Sequence, residues 1–293
     1  MMVPTRRSTG RNEVASKTVA SGAAKILGTI PSPVSSDPLR GAYFGIEHAQ
    51  RHIEELVRQT TAVTTGKDSI YQPVVEKSAD GSEDILKVRL TQPLPELLSG
   101  IAFDAVSNLR AALDRATLAA AVAAGRTGNT IEAKFPFAIS AGELKARKGK
   151  WHFKHIPGPI FDEIVTALKP YPGGNDSLWA VNKLCNIYKH EIVVPTVATA
   201  SRITFNHSDK TYLEHPLPWD ASTHEVEIGR LPKRRWFERS AQFPGTFTFG
   251  IALAERKRLG EIEASMALMN MLYSVRIAVE TIEFVGRRHG LFS

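Results

Sequence analysis

A single cysteine, Cys185, stands in 293 residues. That excludes an internal disulfide framework and any cysteine-rich zinc site. Its place inside a helical repeat points to a buried, inert thiol. Apolar residues never run for the ~18 positions that a bilayer span requires, so no membrane partner is expected. A secretory apolar region is missing as well, and with one thiol suited to a reducing compartment the expected location is cytoplasmic. Basic excess is scarce outside one stretch. Of the net charge of +7, residues 1–30 supply +4 through Arg6, Arg7, Arg11, Lys17 and Lys25 against Glu13. The remaining +3 is unremarkable and gives little argument from isoelectric point to nucleic acid.

What is present is ordinary for a globular chain, with 43% hydrophobic and 23% charged residues. Residues 1–38 are rich in Ser, Thr, Ala, Gly and Pro with scattered basic residues, and read as a disordered basic tail. Residues 39–293 read as one domain, because the connections between its elements are short. The first helix runs from Leu39 to about Gln59, its apolar stripe carried by Tyr43, Phe44, Ile46, Ile53, Leu56 and Val57. His48, His52 and Glu55 share a face there, but a solvated polar face is the stronger reading and no metal is expected. Strands at Ile70–Lys77 and Asp84–Leu90 flank the Asp80-Gly81 turn signal, which makes a β-hairpin. Val88 and Leu90 alternate with Lys87 and Arg89, so one face of it is wet.

A long helix from about Pro95 to Ala124 carries a stripe of Leu98, Ile101, Ala102, Ala105, Leu109 and Leu113. Asp104 and Asn108, and Arg110 and Asp114, stand four apart beside that stripe. Lys145–His155, KARKGKWHFKH, interleaves cations with Trp151, His152 and Phe153, a pattern that can follow a phosphate backbone and stack bases. A solvated loop seating two aromatics on the core is the plainer account. A helix from Asp176 presents Asn182, Asn186, Lys189 and His190 on one face and gives way to strand chemistry at Ile192–Pro195. His224–Ile228 and Phe247–Leu253 alternate as strands of a small antiparallel sheet. Between them LPKRRWFER repeats the basic–aromatic theme. The last helix, Glu261 to about Val285, carries Met266, Leu272, Tyr273, Ile277, Ile282 and Phe284 on a broad apolar face suited to a bundle interior. The fold class is α+β: a four-helix bundle core, a β-hairpin after the first helix and a small antiparallel sheet before the last.

Two segments, GIAFDAVSNLRAALDRA and LWAVNKLCNIYKHEIVV, with Phe135-Pro136-Phe137 and Leu168-Lys169-Pro170-Tyr171 between them, resemble a group of uncharacterised bacterial and phage proteins. The likeness covers roughly residues 39–195 and the general form of the final helix. The helical core of that group is similar to HEPN-type domains, many of which are metal-independent ribonucleases or act in phage defence. Such nucleases use an Arg followed four to six residues later by a His. The comparable placement on the long helix here is Arg110 to Arg115, and Ser107 occupies a position that is often His.

Two functions follow as expectations. In the first, a non-catalytic interaction protein holds RNA or an acidic protein surface. Lys148, Lys150, Trp151, Lys154, Arg234, Arg235 and Trp236 make the contact, while Asp104, Asn108 and Asn182 belong to a structural network between helices. The alternative is a HEPN-like ribonuclease without metal or cofactor. His190 would then be the base, Lys189 or Arg110 the cation on the phosphorane, and Asn186 an orienting group. A homo-oligomer is left open.

Overall fold

The computed structural model describes residues 37–65, 69–126, 133–186, 193–196, 220, 222–232, 250–259 and 262–293. Helix and strand are mixed, as the alternation of sequence periods implies. Helix α1 (Arg40–Thr64) leads into strands β1 (Tyr71–Lys77) and β2 (Glu83–Leu90), followed by α2 (Glu96–Ala123). Short helices α3 (Ala141–Ala146) and α4 (Gly158–Glu163) flank a 3₁₀ turn at Trp151–His155, and α4 runs on as a π-helical turn, Ile164–Leu168. Helix α5 (Asp176–Cys185), strands β3 (Val193–Thr196), β4 (Glu225–Pro232) and β5 (Gly250–Leu253), helix α6 (Arg256–Leu259) and helix α7 (Ala264–Arg288) complete the described elements.

The core is a mutual packing of the three long helices, α1, α2 and α7, with α5 laid against α2 and α7. Of the four helices expected in the bundle, α5 spans only ten described residues. Helices α1 and α2 approach closely where Gly45 faces Ala112 and the Asn108 carbonyl. Ala42, Ala49, Ala105 and Ala112 are all buried, so small residues let the two backbones come together. Phe44, expected in the core stripe, is 51% exposed and leans on the His48 ring, tilted 48° to it, instead. The Glu55 carboxylate is held by Arg58 and Gln59, which keeps it well below the usual carboxylate range.

The hairpin forms where the turn chemistry places it. Gly81 takes a positive φ of 67°, open to glycine at no steric cost, and Asp80 accepts hydrogen bonds from Ser78 and Ser82. Leu86, Val88 and Leu90 point inward while Lys87 and Arg89 face out. Strand β4 pairs antiparallel with β2, giving a three-stranded sheet β1-β2-β4, and β3 pairs with β5 separately. The strand read at His224–Ile228 thus extends the hairpin rather than joining the strands that follow it. Ile251 and Leu253 of β5 seat the second sheet on the helical core.

Helix α7 departs most from its sequence reading. Its buried face is Leu268, Met271, Leu272, Val275, Val279 and Ile282, while Met266, Tyr273, Ile277 and Phe284 are exposed. The apolar residues form two stripes rather than one broad face. No described helix is long and apolar enough to cross a membrane.

Candidate nucleic-acid interface

The site grows from α2. Arg110 lies next to the apolar stripe, and its guanidinium reaches three partners at once. Nη1 donates to Asn182 Oδ1 of α5 at 2.5 Å, Nε donates to Asp114 Oδ2 at 3.2 Å, and the plane lies 4.4 Å from the centre of the Phe137 ring. Asp114 uses its other oxygen to accept the backbone N–H of Phe135 at 2.8 Å. One i,i+4 ion pair on α2 therefore fixes both α5 and the Phe135-Pro136-Phe137 segment. That segment packs its two rings edge to face at 5.1 Å, and both rings are buried.

A cleft of about 200 Å³ opens beside this network. Phe135, Phe137, Phe153 and Trp179 give it aromatic walls, and Arg110, Lys134, Arg147, His152 and Asn182 supply its polar groups. Arg147 projects from the end of α3, where Glu143 holds it at 2.6 Å and the Phe153 ring lies 5.5 Å from its guanidinium carbon. Glu143 is held in turn by the Ile139 N–H and by Arg147, which together lower its pKa. Helix α3 starts cleanly because Ser140 caps it, accepting the Glu143 N–H. Asn175 caps α5 in the same way through the Leu178 N–H, which aims Trp179 and Asn182.

The 3₁₀ turn carries the rest. Trp151 opens it with φ +45°, a conformation rare for a bulky residue, and holds its indole 80% exposed. Two residues on, Phe153 is buried in the wall of the cleft. Lys150 and Lys154 are exposed, and Lys148 forms an ion pair with Asp162. Residues 145–155 hold five Lys or Arg and no carboxylate.

The expected site residues are thus partly assembled. Arg110 and Asn182 meet, and the Lys148–Lys154 segment lies against the same cleft. Asn108 and Asn186 do not join a ladder of amides: each donates to the backbone carbonyl one turn back on its own helix, Asp104 O at 2.8 Å and Asn182 O at 2.9 Å. Short polar side chains on a helix have that acceptor within reach, whereas the longer Arg110 spans to α5. Asp104 is half-buried beside Asn108. Lys189, His190, Arg234, Arg235 and Trp236 lie outside the described residues. Lys134, Arg147 and Trp179 line the cleft beyond the expected site residues, Arg147 from within the basic–aromatic run. Nothing in helical spacing links Trp179 to a residue 45 positions earlier.

Cys185, at the end of α5, is half-buried with its sulfur 3.7 Å from the Val106 carbonyl. Burial pushes its thiol up to about 11, against an opposing pull from Arg110 and Ser107. It is no nucleophile at neutral pH. Among the described residues no three His, Cys, Asp or Glu gather as a metal site. Comparison of the chain with protein-family models, with curated proteins and with solved structures finds no match.

Proposed function

We propose that the protein binds single-stranded RNA without cleaving it, through the cleft between α2, the Phe135–Ala138 segment, the 3₁₀ turn and α5. One observation carries this reading: the basic run Lys145–His155 folds so that Arg147, His152 and Phe153 line an aromatic cleft rather than a featureless loop. Single-stranded nucleic acid is held by two features together, cations along the backbone and rings on which bases stack. Trp151 outside the cleft and Phe153 and Trp179 within it supply rings, and Lys150, Lys154 and Lys134 supply charge. At about 200 Å³ the cleft is below the ~300 Å³ usual for a whole small-molecule ligand, which suits one flat base whose phosphate stays at the rim.

Arg110 favours the non-catalytic half. A cation that stabilises a phosphorane must turn toward it, and this guanidinium is already committed to Asn182, Asp114 and Phe137. Its role in the proposal is to hold the walls of the cleft in place.

Fluorescence anisotropy of a short labelled single-stranded RNA is the test. Binding should weaken steeply with added salt, and the triple change Lys148, Lys150 and Lys154→Ala should flatten that slope. Trp151→Ala should cost about 1–3 kcal/mol, the worth of one stacked base. Absence of binding, or binding indifferent to salt, sinks the proposal. RNA shortened on incubation without metal, and spared by His190→Ala, would restore the ribonuclease reading.

A further inference from the structure

The exposed stripe of α7 has a period that the bundle does not use. Met266, Asn270, Tyr273, Ile277, Glu280 and Phe284 follow one another at intervals of four, three, four, three and four residues, and all six are exposed. That is the 3.5-residue repeat of a coiled-coil seam, lying on the side of the helix opposite Met271, Val275, Val279 and Ile282 of the core. Isolated exposed apolar residues need no explanation. Four large ones in register over about 27 Å of helix, left 59%, 65%, 39% and 66% exposed, form a strip broken only by Asn270 and Glu280.

We infer that this strip is a self-association surface, on which α7 of a second copy packs antiparallel about a two-fold axis at Val275. The register is chosen by the polar members. Reversal about residue 275 sets Met266 against Phe284 of the second copy, Tyr273 against Ile277, and Asn270 against Glu280. Every apolar residue then meets an apolar one, and the Asn270 amide N–H donates to a carboxylate. A parallel pairing sets Glu280 against Glu280, so that two carboxylates, each held by Arg276 of its own helix at 2.9 Å, meet with no donor between them, which is unfavourable. An unrelated apolar partner has no reason to match this alternation, whereas a two-fold copy satisfies it twice. Covering the strip on both copies removes on the order of 1,000 Å² from water, near the lower limit for a specific interface, so the dimer should be reversible.

Sedimentation velocity of the full chain over a wide concentration range tests this. A monomer–dimer equilibrium is expected, and Ile277→Asp should weaken it at least tenfold. Ile277 is partly packed in the monomer, so Phe284→Asp, at a residue 66% exposed, is the control: it should weaken the dimer while leaving the thermal midpoint of the dilute monomer in place, which separates lost association from lost folding. Asn270→Lys reports orientation: antiparallel pairing sets the new ammonium against Glu280 and tightens the dimer several-fold, while parallel pairing sets Lys against Lys and weakens it. A monomer at every concentration, or a dimer indifferent to Ile277→Asp, overturns the inference. A dimer weakened by Asn270→Lys overturns the antiparallel register.

Discussion

Arg110 of α2 donates to Asn182 of α5 at 2.5 Å, across 72 residues of sequence. The contact is made by a side chain only 20% exposed, and the same guanidinium pairs with Asp114 and covers Phe137. A hydrogen bond to a charged group is worth about 1.5–3 kcal/mol, and a shielded cation–π contact adds about 1–2 kcal/mol. Arg110→Ala should therefore destabilise by about 2–4 kcal/mol in urea denaturation, and Arg110→Lys should recover little because the planar fork is lost. In a double-mutant cycle with Asn182→Ala the coupling should be about 0.5–3 kcal/mol. Strict additivity would show that the two helices are not joined here.

Gly45 tests how tightly α1 and α2 are packed. Alanine in a helix is favoured over glycine by about 1 kcal/mol, so an exposed glycine would gain by the change. At Gly45, however, a methyl would stand 3.1 Å from the Asn108 carbonyl and 3.2 Å from the Ala112 methyl. The carbonyl belongs to the middle of a 28-residue helix and cannot swing aside. Gly45→Ala should lower the thermal midpoint, and Gly45→Leu should do so far more. A rise with Gly45→Ala would mean that the helices separate at little cost.

How far the sequence carries the reader depends on which physics is local. The hairpin was readable because Asp80-Gly81 and the alternation of Leu86, Val88 and Leu90 are properties of neighbours in the chain. Helix α2 was readable because its stripe is continuous. Helix α7 differs from the expectation because periodicity says which residues share a face and not which face meets the core: Tyr273 and Phe284 are large apolar side chains like Leu272 and Ile282 but lie on the other side. In α1 the expected Ile46, Ile53 and Leu56 are buried, but so are Ala42, Gly45 and Ala49, whose smallness gives little apolar signal, while the conspicuous Phe44 lies outside. The cleft gathers Arg110, Arg147 and Trp179 from three elements. The Arg110–Asp114 spacing, Asn182 on its helix face, the Phe135-Pro136-Phe137 motif and the basic run point to it, whereas Lys134 and Trp179 carry no such signal.

Glu225 should make the three-stranded sheet sensitive to acid. Burial raises its pKa, but hydrogen bonds from Arg89 and Lys87 of β2 outweigh this and leave it below the ordinary carboxylate value. Lys87 also reaches Glu76 of β1 at 2.5 Å, so one charged cluster ties all three strands. A folded-state pKa below the unfolded one gives stability that is complete above about pH 4.3 and lost as pH falls through the folded value. Glu225→Gln should flatten the loss of stability between pH 5 and 3, as read by urea titration across that range. The protection of β4 amides against hydrogen exchange, taken relative to the intrinsic rate at each pH, should fall with acidification in the native chain and less so in the variant. Equal acid profiles for both would place the sensitivity elsewhere.

Cys185 should do the reverse at alkaline pH. An unfolded thiol ionises near pH 8.5, whereas burial holds the folded one to about 11. Below about pH 8.5 both states keep the proton and the group adds no pH dependence. Above it the unfolded chain releases a proton that the native chain retains, so stability falls progressively until the folded thiol ionises too. Cys185→Ala should remove that decline between about pH 8.5 and 11, seen as a flatter plot of urea midpoint against pH. Tyr43 adds a loss of its own from about pH 10, where an unfolded phenol ionises, because burial and its hydrogen bond to Glu283 raise the folded phenol. Tyr43→Phe on the Cys185→Ala background separates the two. The same proton retention predicts that iodoacetamide alkylates the native thiol slowly at pH 8 and rapidly once urea has unfolded the chain. Fast labelling of the native protein would mean that the sulfur is not held against the Val106 carbonyl.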